Sequence, residues 1–151
     1  MKKRLAIQPD YKKIQSDEID NVISTLKNDF IPDEHANEIS ERLYTSLENG
    51  CLDLSFCQMS DKILNQILPL LSVLNVTTLN LSYNYIGYDG ATALAEALKI
   101  NTSLTELHLG GNDLRDAGAI ALAKALETNT SLKDFYLSLT ELEDAGAIAL
   151  A

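Results

Sequence analysis

The sequence predicts an α/β fold of the solenoid kind, in which strand-and-helix units stack in one direction behind a helical cap. Three observations predict it. From Val76 onward the chain repeats with a fixed period of 28 residues. Within each repeat the apolar spacing changes from every second residue to helical spacing. Residues 1–48 do not repeat and carry two amphipathic helical patterns. A fixed period of this length marks a stack of like units, each burying its apolar face against the next.

The units align position by position. Val76, Leu104 and Leu132 correspond, as do Leu79, Leu107 and Phe135, then Leu81, Leu109 and Leu137, then Ile86, Leu114 and Leu142, and Gly90, Gly118 and Gly146. A degenerate copy precedes them, with Leu52, Leu54, Cys57 and Met59 in the places of Leu79, Leu81, Asn84 and Ile86, at an offset of 27. That makes about four units, starting near Asn49, Val76, Leu104 and Leu132, the last incomplete. The first part of each reads L-x-L, a strand with one buried face. The second part reads as a helix: in "DAGAIALAKALETN", Ala119, Leu122, Ala123 and Leu126 form one apolar stripe, with Ala121 and Ala125 beside it. Asp116 and Asp144 stand where a helix N-cap belongs. The polar run "TNTS" ends the helix, and its Asn-Thr-Ser triplets read as recurring turn residues.

Before the repeats, Ile19, Val22, Ile23 and Leu26 share one helix face, and Ala36, Ile39, Leu43 and Leu47 another. Pro32 stands near the start of the second helix and Gly50 just past its end. The expected organisation is a flexible arm over 1–15, a helical cap over 16–48 that covers the solenoid end, and repeats over 49–151. A small functional module is the other reading of the two helices.

The formal net charge is −10, and most of it falls on the repeats. Such a field repels DNA and RNA, so nucleic acid is not an expected partner, whereas a basic protein surface is. The same charge also serves solubility. Cys51 and Cys57 lie too far apart along an extended segment to form a disulfide, which suits a reducing compartment. The basic start "MKKRLAIQ" lacks an apolar core segment, so no secretory signal is read, and no run is long enough to insert in a membrane. The expected location is the cytoplasm.

The stretch Leu104-Thr105-Glu106-Leu107-His108-Leu109-Gly110-Gly111-Asn112-Asp113-Leu114 matches L-x-x-L-x-L-x-x-N-x-L. It resembles the leucine-rich repeat. The 28-residue period, the full helix and the D-x-G-A start resemble the ribonuclease-inhibitor-like subtype, over residues 49–151. The resemblance implies a right-handed leucine-rich-repeat solenoid, with parallel strands on the concave face and helices on the convex face. It also implies that the Asn of the motif bonds the turn after the strand, so that Cys57, Asn84, Asn112 and Thr140 form a structural ladder. Cys57 is then a buried ladder member rather than a reactive thiol. Thr140 departs from the pattern.

A parallel array sets equivalent positions side by side, about 4.8 Å apart. The exposed columns are Asp53, Asn80, His108 and Tyr136; Cys51, Thr78, Glu106 and Asp134; and Ser55, Ser82, Gly110 and Ser138. Phe56, Tyr83, Gly111 and Leu139 stand at the strand exit, with Tyr85 just beyond. These positions vary from copy to copy while the leucines do not, so the fold does not dictate them. Drift on a solvated surface gives that pattern, and so does a tailored binding face. The mix of aromatics and carboxylates suits binding, and the resemblance, whose family mostly binds proteins through this face, implies it. The candidate partner-binding residues are Asp53, Phe56, Asn80, Tyr83, Glu106, His108, Asp134 and Tyr136.

No catalytic constellation, cofactor motif or metal set stands in the sequence. His35 in "DEHANE" lacks the H-E-x-x-H spacing and reads as a solvated helix residue. Gly110-Gly111 is followed by no Lys-Ser or Lys-Thr and is not a phosphate loop. Cys51 and His108 would lie two strands apart. The expected function is therefore non-enzymatic protein binding through the concave face. The resemblance extends this to an enzyme inhibitor or a bacterial effector acting in a host cytoplasm. A targeting or regulatory fragment of a larger enzyme, and a GTPase-activating regulator, are the alternatives. The final unit ends with one flank uncovered, which is expected to be covered by further repeats of a longer array or by a partner, self-association with a second copy of the chain included.

Overall fold

A computed structural model describes residues 9–29, 31–138, 140 and 142–151. Two helices come first, α1 (Pro9–Asp29) and α2 (Asp33–Asn49). The repeats follow: β1 (Cys51–Asp53), α3 (Asp61–Ile67), α4 (Leu70–Val73), β2 (Thr78–Asn80), α5 (Tyr88–Ile100), β3 (Glu106–His108), α6 (Arg115–Leu126), β4 (Asp134–Tyr136) and α7 (Asp144–Leu150). The strands form one parallel sheet in chain order, β1-β2-β3-β4. Helices alternate with them, so the fold is the α/β leucine-rich solenoid, strands on one face and helices on the other. Parallel neighbours require such crossovers.

The register follows the sequence alignment, including the 27-residue offset. Leu52, Leu79, Leu107 and Phe135 stand in line, as do Asp53, Asn80, His108 and Tyr136. The leucine columns point inward, where Leu52, Leu54, Leu79, Leu81, Leu107 and Leu109 are all buried. Burial then falls off: Leu132, Phe135 and Leu137 are only partly buried against this core. In the first unit Pro69 breaks the helix, because a proline has no N–H to continue the ladder, and the expected single helix becomes α3 and α4. On α6 the buried stripe is Gly118, Ala119, Leu122 and Ala125, while Ala123 and Leu126 are half-buried. The helices meet through small residues, and a Cβ on Gly118 would lie 3.0 Å from Ala91 Cβ.

Three expectations need correction. The arm expected over 1–15 is helical from Pro9, and residues 1–8 lie outside the described residues. Gln15 anchors that early turn: it is buried, and its Nε2 donates to Val73 O at 2.9 Å. Asp116 and Asp144 are not N-caps but lie inside the first turns of α6 and α7. The Asp116 carboxylate instead serves the neighbouring unit, accepting from Glu143 N at 2.8 Å, as Asp61 accepts from Gly87 N at 2.8 Å. His35 is half-buried and bonded through its ring Nε2 to Cys57 O, not solvated.

The His35 bond belongs to a pattern. Along the array the leucine-position N–H groups donate to the next strand: Leu54 N to Asn80 O (2.8 Å), Leu81 N to His108 O (2.9 Å) and Leu109 N to Tyr136 O (2.9 Å). The carbonyls of Asp53 and Ser55 face the other way, where α2 lies instead of a strand. Arg42 on α2 supplies the donors, its Nη1 reaching Asp53 O at 2.9 Å and Ser55 O at 3.3 Å. Arg42 thus replaces the N–H groups of a preceding repeat along the outer edge of β1 and its exit, which an open sheet leaves unpaired, and His35 bonds a carbonyl of the turn beyond. The pair α1 and α2 is tied by Tyr44 Oη donating to Asp20 Oδ1 at 2.6 Å, which pushes the Tyr44 phenol up to about 12.

Candidate protein-binding face

The turns after β2 and β3 each hold a buried asparagine, Asn84 and Asn112. Asn84 Oδ1 accepts from Cys57 N (3.0 Å) and Met59 N (2.9 Å), while its Nδ2 donates to Leu54 O (2.8 Å) and Leu81 O (2.9 Å). Asn112 does the same one unit on: Oδ1 accepts from Ile86 N (3.1 Å), and Nδ2 donates to Leu81 O (2.9 Å) and Leu109 O (3.0 Å). Each side chain therefore stitches its own turn to the one before it. Cys57 and Thr140 are buried at the equivalent positions. Burial pushes the Cys57 thiol up to about 11, which keeps it protonated, whereas Cys51 is exposed. One thiol is therefore expected to react with a disulfide reagent at about pH 8 in the native protein, and the second only on unfolding. Rapid reaction of both would overturn the buried placement of Cys57.

These turns fix what the strand face presents. Phe56 and Tyr83 have φ 56°, and Gly111 has φ 71°, so these three exit positions are left-handed. Gly111 is glycine for a second reason: a Cβ there would lie 2.6 Å from Tyr83 Cδ1. The Tyr83 ring lies over that open position and stacks on Phe56, centroids 4.6 Å apart and planes within 8°. Both rings stay open to solvent, Phe56 at 68% and Tyr83 at 50% exposure.

A second stack stands on β3 and β4. His108 and Tyr136 lie with centroids 4.4 Å apart and planes within 13°. Glu106 holds the imidazole, its Oε1 lying 2.8 Å from His108 Nε2, and its Oε2 accepts from Thr78 Oγ1 at 3.4 Å. Tyr136 is half exposed. Of the expected site residues, Glu106, His108 and Tyr136 form one group and Phe56 with Tyr83 another. The remaining three do not join them. Asp53 accepts from Ser55 N (2.9 Å) and Ser55 Oγ (2.7 Å), with Arg42 Nη1 at 3.9 Å. Asn80 Oδ1 accepts from Ser82 N at 3.0 Å. The Asp134 residue is exposed. Leu139, expected in the exit column, lies outside the described residues.

Sequence reasoning passed over Arg42, which reaches the face from a different element, and gave Tyr85 no role although it is 72% exposed beside the exit column. Among the described residues no group of three or more His, Cys, Asp or Glu side chains is arranged to hold a metal. No helix among them is long and apolar enough to cross a membrane.

The architecture defines a class: a repeat solenoid whose strand face varies from unit to unit while its buried columns stay apolar. Residues 74–95, 101–123 and 128–151 match the leucine rich repeat family model, so this part of the chain is a leucine-rich-repeat array. Among solved structures, leiomodin-1 actin-binding site 2 superposes with a TM-score of 0.57 at 21% identity, over 72% of this chain and 62% of that one. That likeness shows the fold, and the chain spans less than two thirds of that structure's length. No curated protein matches the chain.

Proposed function

We propose that the chain is a non-enzymatic module that binds a partner protein through its concave strand face. The observation that carries this is the pair of aromatic stacks. Phe56, Tyr83 and Tyr136 are large, half or more exposed, and already held in place by their neighbours. Held aromatics lose little conformational freedom on binding, and such residues dominate interface energetics. The candidate contact residues remain Asp53, Phe56, Asn80, Tyr83, Glu106, His108, Asp134 and Tyr136. Asp53 and Asn80 act chiefly by holding the turns after β1 and β2.

The 28-residue period and the full helices α5 and α6 support the ribonuclease-inhibitor-like subtype, and with it an inhibitory or effector-type role in a cytoplasm. The two free cysteines suit a reducing compartment. The partner surface is proposed to be basic, matching the net charge of −10. The likeness to leiomodin-1 actin-binding site 2 makes actin one of the proteins to test. Affinity capture comparing the wild type with a folded His108→Ala/Tyr136→Ala variant tests the reading. A protein retained by the wild type and lost by the variant is the expected result. An identical set on both would move the site off this face.

A further inference from the structure

The strand-exit rim carries a feature that the strand centre does not. Tyr85 walls a cleft of about 450 Å³ with Asp61, Gly87, Gly111 and Asp113. Gly111 is shared, lying under the Tyr83 ring on one side and lining the cleft on the other. The Phe56–Tyr83 stack therefore runs directly into the cleft. The rim shows flat aromatic faces next to carboxylates. Asp61 Oδ1 is held by Gly87 N at 2.8 Å, and Asp113 already pairs with the guanidinium of Arg115 at 3.0 and 3.1 Å.

Building on the protein-binding reading, we infer that this rim docks an arginine-bearing segment of the partner, with the guanidinium flat on Tyr85, at the end of the Phe56–Tyr83 stack, and its N–H groups turned to Asp61. Arginine fits better than lysine, because its planar, weakly hydrated head stacks on rings while still donating to a carboxylate. Nucleobases also stack on exposed aromatics, but their phosphates need a positive groove, and this chain carries 22 acidic against 12 basic side chains. An apolar segment would leave the carboxylates desolvated without a partner.

Binding is read by isothermal titration calorimetry, which does not depend on the tyrosines that the variants replace. The full chain is titrated with a tetra-arginine peptide and with its tetra-lysine counterpart. The arginine peptide is expected to bind about fivefold more tightly. A Tyr83→Asn/Tyr85→Ala variant is expected to lose that preference; asparagine tolerates the left-handed backbone at 83. Asp61→Asn keeps an acceptor for Gly87 N and is expected to weaken the arginine peptide several-fold. Equal affinity of the two peptides for the wild type, or a preference unchanged in both variants, overturns the inference. The capture test rests on His108 and Tyr136, so failure of the arginine preference leaves the strand-face reading to be judged separately.

Discussion

Replacing Asn84 with alanine is expected to lower the unfolding free energy by about 4 kcal/mol, a large fraction of what holds a domain of this size together. The side chain is 5% exposed and serves two units at once. Its loss strands the N–H groups of Cys57 and Met59 and the carbonyl of Leu54 inside the core, while Leu81 O keeps its bond from Asn112 Nδ2. Each buried group left without a partner costs about 1–3 kcal/mol, reduced where the turn relaxes or water enters. Urea titration followed by circular dichroism measures the change. Asn84→Asp tests the cause, since it keeps the acceptor but loses the donor and buries a charge. A cost for Asn84→Ala below about 1 kcal/mol would mean that the turn holds its shape without the ladder.

Arg42→Met is expected to cost about 2 kcal/mol, because the methionine stem preserves packing while the donors to Asp53 O and Ser55 O disappear. Arg42 also pairs with Glu38 at 2.8 Å, an exposed pair one helical turn apart. Such pairs contribute only about 0.3–0.5 kcal/mol. Glu38→Gln is therefore expected to be nearly neutral. If the two substitutions cost the same by urea titration, the ion pair rather than the strand edge is what Arg42 stabilises.

Much of this molecule was legible because a repeat states its own register. Leu79, Leu107 and Phe135 align in sequence, and the parallel sheet sets them side by side; even the 27-residue offset of Leu52 carries over. The recurring asparagines pointed to the turns after the strands. A second set was less obvious. Asn101 and Asn129, in the Asn-Thr-Ser triplets, close the helix-to-strand turns by accepting from Leu104 N and Leu132 N, each at 2.8 Å. Their recurrence was the signal. What could not be read were contacts between elements with no common period. Nothing in "EISERLYTS" tells that Arg42 will meet a strand edge, since that depends on how α2 docks. The start of α1 was missed because Lys12 and Lys13 hide the helical period, and what secures the turn is Gln15 on the distant Val73 carbonyl. The aromatic pairs were visible as columns, but their stacking follows from left-handed turns that side-chain patterns do not announce.

The donors that Arg42 offers to β1 and its exit give the molecule a direction in time as well as in space. A strand of three residues has almost no stability alone, and each needs a finished neighbour to pair with. The helical cap supplies the first such neighbour from side chains that precede β1 in the chain. Synthesis proceeds from the same end, so every unit emerges beside an edge that is already ordered. The array can then grow one repeat at a time on the ribosome, each turn being closed as the asparagine of the following unit arrives. Its hydrophobic columns are covered in the order in which they appear.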